Sequence, residues 1–389
     1  MRAWVLALTL VGCGFSSPAA RDIPAGDGPD GGDSPTGGSD GGGGSTAPVR
    51  ICRDALVHVC ADVPRGSLNL MTGGIDTSDV SASSECLPQS AYTITPAIDA
   101  CVIASQTIAI PVNNAVSATG TRRLILFADE TLTIAGTLDA ASHRKGMTGP
   151  AADTGPCPTN FTNPTTATEG GGSWGGTLAQ PGNSGGSTPG GGIGGIQGSA
   201  VLVTAFAGGC PGGSGANNGA SSGGGSGGHG GGAVLLLAGQ SIAVSGTVNA
   251  SGAGGSGGKQ RGGGGGGGTG GMIVLAAPAV RITGKCFANG GGGGQGGASL
   301  VEGSGGDESG APDDAAGGGN ALTIVGGGGG TGGVGSTGSK PGADGGQITG
   351  KFSDTGGGGA GGGAVGVIKI LPPDPGMNND LHKVSPPPT

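Results

Sequence analysis

The chain has 389 residues, of which 101 are glycine, 2% are aromatic and 11% are charged. Average proteins contain roughly 7% glycine and about 25% charged residues, so this composition favours a fibrous, low-complexity or repeat protein over a compact enzyme. The formal net charge is −8 and the few Lys and Arg residues are scattered. Because nucleic-acid binding requires a basic surface, nucleic acid is disfavoured as a partner.

The N-terminus has the pattern of an export signal. A positive start, Met1-Arg2, precedes the apolar stretch Ala3–Leu10, which is too short to span a bilayer and is typical of a signal peptide, here residues 1–12. The stretch closes with Leu10-Val11-Gly12-Cys13, which resembles a bacterial lipobox. That resemblance implies lipidation at Cys13, and several acyl chains together anchor a protein firmly in a membrane. An ordinary secretory signal with an incidental cysteine is the alternative.

The residues after Cys13 predict where the chain is held. Gly14 stands where an inner-membrane retention signal would carry Asp, so the sorting rule of lipobox proteins favours the outer membrane or cell surface. Residues 13–48 are the predicted lipidated N-terminus and a disordered Asp/Gly/Pro tether, with a reach of about 30–35 Å. The Asp-Gly sequence of this segment lacks the closing Glu of an EF-hand and the apolar residues of repeat-toxin calcium loops. It therefore predicts a solvated spacer.

Cysteines suggest a stapled head over residues 49–105, with some helical potential around Ala55–Cys60. Export makes pairing favourable, and the disulfide candidates are Cys52, Cys60, Cys86 and Cys101, with three connectivities open, and Cys157 with Cys210. Cys286 occupies the position of Leu138 and Val248 in a repeated phrase and is predicted to be a small buried hydrophobe. A zinc site is disfavoured, because there is no C-x-x-C pair and the histidines are dispersed.

That repeated phrase runs through residues 106–370, the predicted Gly-rich β repeat domain. It begins at Ala128, Ala238 and Ala276, and fragments return at Ile348–Phe352 and Ala364–Ile370. Apolar residues alternate with polar ones, the pattern of a half-buried strand. One glycine recurs at a fixed point and marks a bend or a close approach of backbones: Gly136, Gly246 and Gly284.

The strand units must bury their faces against neighbours. The apolar runs Ala233–Ala238 and Met272–Ala277 predict strands that are covered on both faces. The sequence therefore predicts a mainly β fold: a right-handed β-solenoid-like stack of short strands with Gly-rich insertions, the largest at 146–199. Residues 371–389 are predicted to form an extended Pro-rich tail.

The glycine tracts, such as Gly252–Gly271 and Gly290–Gly297, allow two interpretations. They are either loose loops, since they bury little apolar surface, or packed polyglycine II helices with three residues per turn. Tracts alternating with strands over residues 212–363 resemble the receptor-binding adhesins of phage tail-fibre tips. The lipobox, tether and repeated phrase together resemble the Gly-rich surface lipoproteins of Gram-negative bacteria, over nearly the whole chain.

Catalytic and metal-binding patterns are weak. Two G-x-S-x-G matches, at Ser173 and Ser256, lack the following helix of a nucleophile elbow, so no catalytic residue is predicted. Acidic residues gather at Glu302, Asp307, Glu308, Asp313 and Asp314. The last four are weak calcium candidates, although a solvated loop is favoured, and no cofactor is predicted. The basic spot His143-Arg144-Lys145 is interpreted as a strand-end cap.

The predicted function is that of a non-catalytic exported lipoprotein, which presents a Gly-rich β scaffold for a structural, adhesion or recognition role. Its predicted partners are the membrane, through the anchor, and a cell-surface protein or polysaccharide. One alternative is an ice- or surface-binding protein, suggested by Thr131, Thr133 and Thr137 but weakened by Ser, Ala, Arg and Lys at later equivalents. Another is a β-helix enzyme acting on polysaccharide, which lacks a sugar-stacking surface because Tyr92 and Trp174 stand alone.

Overall fold

The computed structural model describes residues 47–81, 84–219, 223–299, 301–320, 329–338, 340–348, 356–372 and 383–389. Cys13, the predicted signal peptide, residues 13–46 of the predicted tether, His382 and the phrase fragment after Ile348 lie outside the described residues. Within the part of the chain that the structure describes, no helix has the length and apolar character needed to cross a membrane.

In the described ranges, strands supply almost all the regular structure, with a short 3-10 helix at Gln89–Ala91. In chain order the strands are β1 (Val49–Asp54), β2 (His58–Val63), β3 (Ser67–Asn69), β4 (Gly73–Asp76), β5 (Tyr92–Thr95), β6 (Ala100–Ile110), β7 (Ala115–Thr119), β8 (Arg123–Ile134), β9 (Thr137–Asp139), β10 (Ala233–Ala238), β11 (Ser241–Val244), β12 (Thr247–Asn249), β13 (Met272–Ala276), β14 (Ala279–Ile282), β15 (Lys285–Phe287), β16 (Val367–Leu371) and β17 (Val384–Ser385).

The predicted head contains a small antiparallel sheet in the order β1-β2-β5. The helical potential around Ala55–Cys60 was a wrong prediction, because Val59, Ala61 and Val63 are buried at alternate positions of strand β2. That period of two is the pattern of a strand with one covered face. β6 runs through residue 105, the predicted limit of the head, and pairs with β8 along most of its length.

Two parallel sheets form the stack. One has the order β4-β7-β9-β12-β15-β17, and the other runs β3-β6-β8, then β10 with β11, then β13 with β14, and ends at β16. Each successive layer of chain therefore adds strands to both sheets. The mainly β prediction is confirmed, with parallel sheets. The sheets are open, and the right-handed solenoid coil remains a proposal.

The repeated phrase is what places one layer on the next. Ala238 pairs with Ala128, Ile242 with Leu132, and Val248 with Leu138. The third phrase shifts by one residue in its first strand, where Ala276 pairs with Leu237 instead of Ala238. This register keeps Val274 on the same face as Leu235, whereas a one-residue slip would turn every side chain of β13 to the opposite face.

Apolar side chains cover both faces of β10 and β13, as predicted, and both faces of the first half of β8 as well. On one face, Leu126, Leu236 and Leu275 pack in the core between the two parallel sheets. On the other, Phe127, Leu235 and Val274 pack against the antiparallel sheet and against Leu178 and Phe206, which lie between β9 and β10. The repeated glycines lie where backbones approach closely: a Cβ on Gly246 would lie 1.9 Å from the carbonyl oxygen of Gly136.

Among the described strands, the three longest connections leave the stack at the same place in a layer. The chain departs after β9, β12 and β15 and returns at β10, β13 and β16. Parallel stacking of the layers sets these three insertions side by side, residues 140–232, 250–271 and 288–366. Their glycine tracts can therefore pack against one another.

The described tracts form an ordered bundle. Tract 263–271 donates backbone hydrogen bonds of 2.7–3.1 Å in a strict period of three. Residues 263, 266 and 269 donate to 216, 213 and 210; residues 264, 267 and 270 donate to 358, 361 and 364; residues 265, 268 and 271 donate to 256, 253 and 250. The same tract accepts hydrogen bonds from 173–176, 225–231 and 291–294. A left-handed helix with three residues per turn presents successive peptide groups in three directions.

Tracts 290–297 and 357–366 are also surrounded on all sides. Each exchanges hydrogen bonds with neighbouring tracts in the same period of three, and the two join each other through Gly357, Ala360 and Gly363. This is the packing of polyglycine II helices, one of the two arrangements that the sequence allowed. At the most crowded positions there is no room for a side chain, because a Cβ on Gly266 would lie 1.8 Å from the carbonyl oxygen of Trp174.

Candidate functional site at the outer turns of the glycine bundle

The turns at the end of the bundle away from the β strands form the candidate site. Tract 250–259 leaves β12, and tract 262–271 returns to β13, so the turn Lys259–Arg261 lies at the far end. Segments 167–170 and 217–219 meet it there, and so does a segment made of residues 298–299 and 301–302. We call these four segments the outer turns.

Hydrogen bonds hold the outer turns together. The backbone N–H of Gly170 donates to the carbonyl of Arg261 at 2.9 Å, and the N–H of Arg261 donates to the carbonyl of Ala298 at 3.2 Å. The Arg261 Nε donates to Ser299 Oγ at 2.9 Å, and Asn218 Nδ2 donates to the carbonyl of Gln260. The four segments are therefore fixed relative to one another by contacts of main chain and side chain.

The central turn uses an unfavourable backbone for its residue types. Gln260 and Arg261 have φ of +45° and +65°, in the left-handed region that costs a residue with a side chain about 1–2 kcal/mol. Glycine avoids this cost, yet this chain of 101 glycines has Gln and Arg here. Such outliers concentrate at sites where the side chains are needed.

Charge at the outer turns is mixed. Lys259 and Gln260 are exposed and Arg261 is half-buried. The Lys259 Nζ lies 3.5 Å from a carboxylate oxygen of Glu302, with both side chains more than half exposed. Glu169 is buried, and its carboxylate accepts a hydrogen bond from the N–H of Gly190 at 2.9 Å. The exposed groups can donate hydrogen bonds to a polar or acidic ligand.

The predicted calcium candidates do not come together. Glu308 is engaged by the stack: its carboxylate accepts from His143 Nδ1 at 3.1 Å and from the N–H of Arg144 at 2.6 Å. Asp307, Asp313 and Asp314 are exposed. Among the described residues, the one group with metal-ligand spacing is Cys52, His58 and Cys60, and its two cysteines are joined in a disulfide.

His143 ties the acidic insertion to the stack. Its Nε2 lies 3.1 Å from Asp139 at the end of β9, and its Nδ1 lies 3.1 Å from Glu308. The hydrogen bond with Asp139, followed by that with Glu308, raises the pKa of His143 to about 10, against the opposing effect of burial. The hydrogen bond from His143 lowers the pKa of Glu308. The predicted strand-end cap at His143-Arg144-Lys145 is therefore bound to Glu308 of the acidic insertion.

The two predicted serine matches show no nucleophile geometry. Ser173 is fully buried, and its hydroxyl has no hydrogen-bond partner among the described residues. The Ser256 hydroxyl contacts Ser226 at 3.0 Å. Trp174 is buried beside Phe161, with ring centroids 4.2 Å apart, so it packs within the insertion and does not line a groove.

The disulfide candidates pair in the structure. The pairs are Cys52–Cys60, Cys86–Cys101 and Cys157–Cys210, the last as predicted. Cys286 is fully buried and pairs with Val248 in the register that the phrase implied. Sequence reasoning missed the outer turns, although Lys259-Gln260-Arg261 interrupts a glycine tract with three long polar side chains.

Comparisons with protein-family models, with curated proteins and with solved structures found no match. What the molecule does is therefore inferred from its geometry.

Proposed function

We propose that the chain is a non-catalytic surface recognition protein, in which the β stack and the glycine bundle form a rigid base for the outer turns. The observation that carries the proposal is the Gln260-Arg261 turn, which retains long side chains where glycine would be favoured. Fixed turns lose little conformational entropy on binding. The proposed ligand is a polar or acidic polysaccharide or protein at a cell surface.

The proposal also covers the β stack that carries the outer turns and its attachment to the membrane. The strands of both parallel sheets follow one another in chain order, layer by layer, which supports a right-handed β-solenoid-like coil. Lipidation at Cys13 would place this body at the outer membrane or cell surface, held by the tether. Labelled palmitate should be incorporated by the parent and not by Cys13→Ala, which should leave the membrane fraction. Equal incorporation or equal membrane retention would refute the anchor.

The alternative of ice or flat-surface binding has little support in the stack. The row that starts with Thr131 continues through Ser241 and Ala279, and the row that starts with Thr133 continues through Ala243 and Arg281. A flat lattice would require one repeated polar side chain along each row. The unequal side chains favour recognition at the turns.

A substitution that favours the fold and removes the side chains tests the proposal. Gln260→Gly with Arg261→Gly should keep or raise the melting temperature, because relief of about 1–2 kcal/mol of left-handed backbone strain at each residue outweighs the about 1 kcal/mol lost with the hydrogen bond from Arg261 to Ser299, and should abolish binding. Asn113→Gly is the matched control, since Asn113 has φ +65° in the turn after β6. Beads that carry the exported chain should bind at least one of a panel of acidic and neutral polysaccharides and intact bacterial cells.

Other outcomes of this binding experiment would contradict the proposal. Binding that survives the double glycine variant, or that is lost equally in Asn113→Gly, would refute recognition at the outer turns. No binding by the parent to any cell or polysaccharide would refute the adhesion role itself.

A further inference from the structure

The disulfide between Cys52 and Cys60 differs from the other two in its exposure. Cys52 lies directly opposite Cys60 in the antiparallel pair β1-β2, with Cys52 exposed and Cys60 half-buried. Cys86 and Cys101 are both buried, and the third disulfide joins the half-buried Cys157 to the buried Cys210. Cys52 is therefore the one disulfide cysteine of the described residues that is classed as exposed, which makes it the point of approach for a thiol from solution.

A histidine contacts one sulfur of this disulfide and not the other. His58 Nε2 lies 3.2 Å from Cys60 Sγ. His58 Nδ1 lies 2.7 Å from a carboxylate oxygen of Asp54, which favours a proton on Nδ1 and orients the ring. With a second proton on Nε2, the imidazolium would donate a hydrogen bond to a thiolate at Cys60 and stabilise it.

An open groove lies beside Cys52. The cavity has a volume of about 560 Å³, and Cys52, Arg53 and Asp54 form one wall. Apolar residues at and just after the ends of parallel strands form the rest, among them the partly exposed Leu371 and the exposed Pro278 and Pro372. The Arg53 charge is paired with Asp129 at 2.8 Å. The groove therefore suits a short apolar peptide that carries a cysteine.

We propose that Cys52–Cys60 is a reactive disulfide that exchanges with the cysteine thiol of an apolar peptide held in this groove. The partner thiolate attacks Cys52 Sγ, the Sγ–Sγ bond to Cys60 breaks, and its electron pair remains on Cys60 Sγ beside His58. The products are a mixed disulfide at Cys52 and a thiolate at Cys60. One disulfide bond is broken and one is formed, so the step needs no external oxidant or reductant.

This chemistry goes beyond recognition at the outer turns and does not depend on it. Asp54 is a positioning residue, because it acts through His58. His58 is the group that touches the reacting sulfur. The matched control is His229, which is also exposed and lies 2.6 Å from Asp153 but is not hydrogen-bonded to a cysteine among the described contacts.

The test uses the full exported chain and acetyl-Leu-Cys-Leu-amide as the thiol probe. After a short incubation at neutral pH, iodoacetamide quenches free thiols and mass spectrometry maps each cysteine. We expect the probe on Cys52 and the carbamidomethyl group on Cys60, with the other two disulfides intact. Glutathione should react more slowly than the apolar peptide, because it is anionic and Asp54 lies at the groove.

Variants separate the role of His58 from simple exposure. His58→Ala should slow formation of the mixed disulfide roughly tenfold, because the leaving thiolate loses its hydrogen-bond donor, while His229→Ala should react at the parental rate. Asp54→Asn should slow exchange and Asp54→Glu should restore it. Melting curves check that each variant is folded.

Three results would overturn the proposal. These are attachment of the probe to Cys60, opening of all three disulfides at one rate, and equal rates for folded His58→Ala and His229→Ala.

Discussion

Glycine is required at closely packed positions of this bundle, because a Cβ atom there would lie too close to the backbone of the neighbouring tract. A Cβ on Gly266 would lie 1.8 Å from the carbonyl oxygen of Trp174, and one on Gly257 would lie 1.8 Å from that of Gly303. The Trp174 carbonyl accepts a hydrogen bond from the N–H of Gly213 at 3.0 Å, so it cannot move away without breaking a bond that joins two tracts. Gly310 is different, since the nearest atom to its Cβ would be an Asp314 oxygen at 4.0 Å.

Gly266→Ala should therefore lower the free energy of unfolding by about 2–3 kcal/mol, the upper range for overpacking a filled interior. Gly310→Ala should change it by less than about 1 kcal/mol, and in the stabilising direction, because alanine restricts the unfolded chain. Urea denaturation of the two variants measures the difference. Equal stability of the two would contradict close packing in the bundle.

Cys286 is the one cysteine of the described chain without a disulfide partner. It fills the column of Leu138 and Val248 between the sheets, and burial raises the pKa of its thiol to about 12. A buried neutral thiol is a poor nucleophile. Native protein should leave Cys286 unlabelled by iodoacetamide, and denatured protein should label it fully. Rapid labelling in the native state would show that the core at β15 is open.

At the scale of the element, the sequence predicts strands where the alternation is clean. The half-buried pattern around Leu132 and Ile242 identifies β8 and β11, and the glycines that follow mark the close approaches between layers. The one-residue shift of β13 was not predictable, because Met272–Ala276 is apolar throughout and gives no polar position to fix the register. β3 and β4 were missed in the head, since strands of three or four residues carry too little pattern.

The link through His143 should make stability depend on pH in two directions. Because the pKa of His143 is raised in the folded state, the protonated side chain contributes its full stabilisation of the fold below about pH 6.5. This contribution is lost as the pH rises toward about 10. Because the pKa of Glu308 is lowered in the folded state, its ionised carboxylate stabilises the fold above about pH 4.5. This contribution is lost as the pH falls below that value. His143→Gln should therefore be less stable than the parent between pH 5 and 7.

That difference should be no more than about 1 kcal/mol, because the His143 side chain is 40% exposed and solvent screens its ion pairs. It should shrink steadily as the pH rises and disappear near pH 11. Thermal melts of the two proteins across this range measure it. A difference that stays constant with pH would mean that His143 acts by packing alone.

At the scale of the whole molecule, the stack determines where the glycine tracts lie. Insertions that leave after β9, β12 and β15 start side by side, and their tracts then exchange hydrogen bonds across residues as distant in sequence as Gly264 and Gly358. The glycine-rich composition already allowed polyglycine II helices, which have three residues per turn. Which tract adjoins which was not, because glycine carries no side chain to encode a partner. For the same reason the sequence could not place the Gln260-Arg261 turn among its neighbours.

The most direct test of an ordered bundle on a β stack is amide hydrogen exchange of the native protein. Each backbone N–H of tract 263–271 donates to a neighbouring tract, so peptides from this tract, and from 290–297 and 357–366, should exchange as slowly as those from β8 and β10. Amides of a free glycine chain would exchange at the rate of an unfolded peptide. Full exchange of tract 263–271 within seconds, while β8 remains protected, would contradict the bundle and the recognition scaffold built on it.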